Sequence, residues 1–136
     1  MNRTDKLLTI LLRFFGASGL LALVAVFMPM SWMAATHRWL GLGEMPVAPI
    51  VEYLARSVSA LAVLLGAVCF VMASDLERYR PLLRFLGAAV ILMSVVSTGI
   101  DLSAGMPWWW TAFEGPPGIG GGAVLFFLAR PNDRKK

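Results

Sequence analysis

Two side chains that carry much of redox and metal chemistry occur once each in this chain, as Cys69 and His37. One cysteine excludes a disulfide or dithiol couple within the chain and argues against a thiolate metal site. One histidine excludes bis-histidine haem ligation within the chain, leaving only a site completed by a partner subunit. The usual catalytic signatures are missing as well. There is no G-x-S-x-G elbow, no H-E-x-x-H helix, no phosphate loop and no dinucleotide fingerprint. The glycines at 118, 120, 121 and 122 lack the Lys and Ser/Thr of a phosphate loop and follow no strand. No catalytic residue, cofactor or metal site is therefore assigned.

Charge is scarce: only 15% of the 136 residues are Asp, Glu, Lys or Arg. A soluble domain of this size needs a charged surface, whereas here the charges lie in short patches between long apolar runs. The net charge of +4 does not point to nucleic acid. The basic residues sit at the ends of apolar segments and form no stripe interleaved with aromatics.

What is abundant is apolar sequence, 58% of residues with a mean hydropathy of +0.72. The pattern predicts an all-α integral membrane protein, an up-down bundle of four transmembrane helices in a single domain over residues 1–136. Spans are expected at about 8–29, 51–73, 82–101 and 108–129, with outer segments at 30–50 and 102–116 and a cytoplasmic loop at 74–81. The first apolar stretch, 7–28, is longer than a signal-peptide core, and Met33-Ala34-Ala35 is a poor cleavage site, so a retained helix is expected. Gly16 and Gly19 suit close helix contact there. Between the first two spans, 31–40 reads as a short interfacial helix capped by Ser31 and anchored by Trp32 and Trp39.

In the second span Glu52 and Arg56 stand four residues apart and can pair, and Ser59 and Gly66 continue the same face. Pro81 suits the first turn of the third span. Along that span Gly87, Ser94, Thr98 and Asp101 form a small-polar stripe that ends in a carboxylate. The fourth span is expected to be short or broken. From Pro116 to Ala129 it covers only about 20 Å, and two successive prolines remove helical donors. A tryptophan-rich turn at 107–113 then precedes the main segment.

Basic residues set the orientation. Arg3, Lys6, Arg13, Arg78, Arg80, Arg84, Arg130, Arg134, Lys135 and Lys136 gather on one side when both termini are cytoplasmic, leaving Arg38 and Arg56 outside. A bacterial-type cell inner membrane is the expected location.

That orientation brings Glu52, Tyr53, Arg56, Asp101 and Glu114 to the outer side, with His37 and Trp108, Trp109 and Trp110 placed to cover them. These residues are the candidate ligand or ion-pair site. A row of tryptophans also suits a membrane interface by itself, and Arg56 with its carboxylates can serve as a staple between helices. In size and span count the chain resembles four-helix bacterial inner-membrane proteins of the DoxX-like sort and the small multidrug transporters. The latter carry a glutamate in the first helix, where this chain has no acid. The resemblance rests on architecture, so no residue role is carried over.

Two functions are expected from these features. The first is an accessory or structural membrane protein, binding a lipid or quinone-like amphiphile in an outer-leaflet aromatic cleft. The alternative is a component of a small transporter or channel that uses Glu114 and Asp101 for proton or cation coupling. A membrane enzyme is the least supported class. Expected partners are membrane lipids and either a second copy of the chain or another membrane protein.

Overall fold

A computed structural model describes residues 3–130. Arg134, Lys135 and Lys136, used in the orientation argument, lie outside the described residues. Of the described chain 86% is helical and none is strand. The segments are α1 (Arg3–Leu21), α2 (Leu23–Phe27), α3 (Met30–Trp39), α4 (Pro49–Ser74), α5 (Leu76–Ala104) and α6 (Trp108–Leu128). α1 and α2 make one rod of 25 residues, interrupted only at Ala22, whose N–H bonds the Gly19 carbonyl at 3.1 Å.

That rod, α4 with 26 residues and α5 with 29 are long and apolar enough to cross a membrane. At 1.5 Å per residue each exceeds the roughly 30 Å hydrocarbon core. Their side chains are arranged for lipid. In the most apolar stretch of each helix only 11%, 11% and 17% of residues are buried, while Leu21, Phe27, Val58, Phe85 and Leu92 are among the large apolar groups left exposed. The polar Ser94 and Asp101, by contrast, are buried. Water would oppose this inversion, and hydrocarbon favours it.

The described residues form two compact units, one of Ile10–Ser74 and one of residues 3–9 with 75–130. In the first, the α1–α2 rod meets α4 where side chains vanish. A Cβ on Gly66 would lie 2.7 Å from the Gly16 carbonyl, and one on Gly19 would lie 2.7 Å from the Ala62 carbonyl. Any side chain at these positions would push the backbones apart. The first rod ends before Pro29, and α3 starts one residue later. Ser31 is not its cap; Pro29 occupies that position without a side-chain bond, and Ser31 lies inside the helix.

The second unit is dominated by an antiparallel α5–α6 hairpin. α5 begins earlier than the hydropathy predicts. The expected loop at 74–81 is helical from Leu76, because Asp75 caps the helix by accepting the Arg78 N–H at 3.1 Å. Hydropathy could not show this, since the first turns carry the charged Glu77, Arg78 and Arg80. Pro81 consequently lies in the second turn and not the first. The far end of α5 closes on Gly105 in the left-handed region (φ 69°), with Met106 N–H bonding Asp101 O at 2.9 Å and Gly105 N–H bonding Leu102 O at 3.4 Å. This is a Schellman closure, and Pro107 prevents continuation.

α6 corrects the expectation of a short or broken helix. It runs uninterrupted for 21 residues through Pro116 and Pro117. The prolines still deny donors to the carbonyls of Ala112 and Phe113, but packing against α5 holds the rod. Gly115 lies on the Thr98 hydroxyl, Gly118 on the Ser94 hydroxyl, and a Cβ on Gly122 would lie 2.8 Å from the Gly87 carbonyl. Sequence hydropathy registers the prolines and glycines as interruptions, whereas in the hairpin the glycines are the contact surface.

Candidate functional site

Arg56 is the most connected of the candidate residues. Its Nε donates to Glu52 Oε1 at 2.9 Å, one turn earlier on α4. Its two terminal nitrogens donate to the Val26 and Met28 carbonyls, the latter at 3.2 Å. Pro29 has no N–H and starts a new direction, so the last carbonyls of the first rod have lost their helical donors. A planar guanidinium meets both and places positive charge at the negative end of that rod. Arg56 thus acts as a cap supplied from α4, with Glu52 orienting it. The pairing with Glu52 was legible in the spacing, but the carbonyl acceptors were not.

His37 is turned to its own loop. Its Nδ1–H donates to the Gly43 carbonyl at 3.0 Å, and Arg38 pairs with Glu44 at 3.7 Å nearby. Both interactions fold back the segment after α3, where Gly41 and Gly43 take positive φ of 73° and 85°. Tyr53 is exposed. Two apolar hollows lie in this unit. One of about 490 Å³ is walled by Leu20, Val24, Phe27, Pro29 and Trp32. The other, about 460 Å³, lies between α3 and the chain entering α4, with Glu52 as its charged member.

Asp101, Glu114 and the tryptophan row belong to the other unit. Trp108 is 81% exposed. Trp109 and Trp110 are half-buried and meet edge to face at 5.7 Å. Trp110 Nε1–H donates to Glu114 Oε2 at 2.8 Å, one turn along α6, and Glu114 is exposed. Neither of the two hollows touches these tryptophans. Asp101 is different: only 7% exposed, with a fully buried Oδ2 that has no hydrogen-bond partner. Thr111, which the sequence reading did not single out, has a buried hydroxyl in the same condition. The sequence signal was its spacing, four residues before Gly115 on the face that meets α5.

At the cytoplasmic side of the expected orientation, Asp5 and Arg80 pair, with side chains 18% and 12% exposed, and Arg80 also donates to the Arg130 carbonyl at 3.3 Å. This clamp was not foreseen, because Asp5 and Arg80 are 75 residues apart. Among the described residues no group of three or more His, Cys, Asp or Glu side chains is placed to hold a metal ion. Compared with protein-family models, with curated proteins and with solved structures, the chain matches none. The functional reading therefore rests on the residues alone.

Proposed function

We propose that this chain is a small multi-pass protein of a bacterial-type inner membrane, accessory or structural in role, that holds the chain of a lipid or quinone-like amphiphile. Four crossings put both termini on the cytoplasmic side, with α6 as the fourth. Its 21 residues give about 31 Å, enough for a bilayer core. The observation that carries the reading is the burial pattern, with apolar side chains outward and small or polar ones inward. Its ionisable groups support the same role. Arg56 is committed to Glu52 and two backbone carbonyls, Glu114 to Trp110, and His37 to its own loop, which are positions of reinforcement.

The amphiphile is placed in the hollow beside Trp32. Its walls are apolar, and they include Met28, whose carbonyl accepts from Arg56, which suits a molecule with a long apolar tail and a polar head. Native mass spectrometry of the protein released from lipid nanodiscs tests this. A retained lipid or quinone, lost when Val24→Trp fills the hollow, is the expected result. Release of bare protein, or retention unaffected by that substitution, contradicts it.

A further inference from the structure

The α5–α6 hairpin has a fixed register. Gly87 meets Gly122, Ser94 meets Gly118 and Thr98 meets Gly115. Gly122 also meets Ile91, so the steps back along α6 from Gly122 through Gly118 to Gly115, four and three residues, match steps forward along α5 from Ile91 through Ser94 to Thr98, three and four. One further step sets Asp101 against Thr111, at the closed end of the hairpin. These two residues carry the buried side-chain oxygens that lack a partner among the described residues. A carboxylate oxygen and a hydroxyl facing one interface, bonded neither to each other nor to another described group, call for something between them.

Charge narrows the choice. No Lys, Arg or His forms an ion pair with Asp101 among the described residues. The last turn of α5 has no basic residue, and α6 takes no side-chain cap from Asp101. The negative end of α5 and the positive end of α6 meet at this turn, so their fields offset and leave the carboxylate charge standing. Glu114, one turn beyond Thr111, is exposed and bonded to Trp110. Thr98, on the other side, gives its hydroxyl proton to the Ser94 carbonyl at 2.7 Å. A bridging water would satisfy the two oxygens but leave a buried charge uncompensated, which is costly. A cation satisfies both needs.

We propose that Asp101 and Thr111 form a binding site for a monovalent cation, sodium being the probe of choice, that locks the closed end of the α5–α6 hairpin. One carboxylate matches one positive charge, and carboxylate and hydroxyl oxygens are hard donors suited to alkali and alkaline-earth ions. The lack of further carboxylates at the site disfavours a divalent ion. The inference is independent of the amphiphile reading, since a cation-locked hairpin serves a structural protein and a transport component alike.

The test is thermal unfolding of the full chain in lipid nanodiscs, with sodium chloride replacing choline chloride at constant ionic strength. The unfolding midpoint is expected to rise saturably with sodium, and Asp101→Asn to abolish the rise. Thr111→Val is expected to raise the half-saturating sodium concentration by about tenfold, the usual order for losing one bond to a charged group. Thr111→Ser, which keeps the hydroxyl, is expected to bind as the parent does. If Asp101→Asn does not fold, the contrast between the valine and serine variants decides. A midpoint indifferent to sodium overturns the proposal. So does a sodium response unchanged in Asp101→Asn, or equal in the two Thr111 variants, or one reproduced by acidification in choline alone, which would assign the site to a proton.

Discussion

At the scale of single residues, the ionisable groups of this chain act mainly on backbone. Arg56 is the clearest case, because the groups it satisfies are carbonyls orphaned by Pro29 and not the carboxylates of distant helices. Arg56→Ala would leave the Val26 and Met28 carbonyls and the Glu52 carboxylate without their donor. The expected cost is about 2 kcal/mol, in the range for hydrogen bonds to charged groups, reduced by the partial exposure of the pair. Arg56→Lys is expected to recover only part of it, since an ammonium lacks the planar fork. Reversible unfolding in mixed micelles measures both, and equal stability of parent and Arg56→Ala would contradict the cap. The sequence made the Glu52–Arg56 pair legible through its four-residue spacing. It did not expose the carbonyl acceptors, because a side-chain pattern is silent on which backbone groups a neighbouring helix leaves open.

At the scale of elements, the two close helix contacts share one device. Gly16, Gly19 and Gly66 let α1 meet α4, and Gly87 with Gly115, Gly118 and Gly122 lets α5 meet α6. Where lipid surrounds a helix there is little hydrophobic gain from pairing, so close packing between backbones supplies much of the attraction. Gly87→Leu should therefore separate α5 from α6, with a loss of roughly 1–3 kcal/mol as in other overpacked interiors. Gly99→Leu, whose Cβ would meet nothing within 4 Å, serves as the control and should be nearly neutral by the same unfolding measurement. The stripe of Gly87, Ser94, Thr98 and Asp101 was readable from its helical period. The matching stripe on α6 was readable in part, since the glycine run holding Gly118 and Gly122 suits close backbone approach, but Pro116 and Pro117 implied a break at Glu114-Gly115. If α6 is one rod, Pro116→Ala restores a donor for the Ala112 carbonyl and should stabilise the protein, by up to about 3 kcal/mol. A broken helix with its joint at Glu114-Gly115 would gain nothing, and denaturation curves of the two proteins separate the cases.

At the scale of the whole molecule, three helices declare themselves by length and apolarity, and α6 is marked by glycine, proline and tryptophan instead. That difference explains why an all-helical chain with membrane-spanning helices was legible while the extent of α5 and the continuity of α6 were not. Charged first turns and helix-breaking residues lower hydropathy without preventing a helix, once Asp75 caps one and glycine contacts hold the other. The account stands or falls on whether α6 crosses the membrane. Single cysteines placed at Ser74, Ser103, Glu44 and Arg130 in a Cys69→Ser background, exposed to a membrane-impermeant maleimide in intact spheroplasts, report the side of each position. The account predicts that Glu44→Cys and Ser103→Cys label from outside, while Ser74→Cys and Arg130→Cys label only after the membrane is opened. Labelling of Arg130→Cys from outside would contradict it, leaving three crossings and α6 on the outer face.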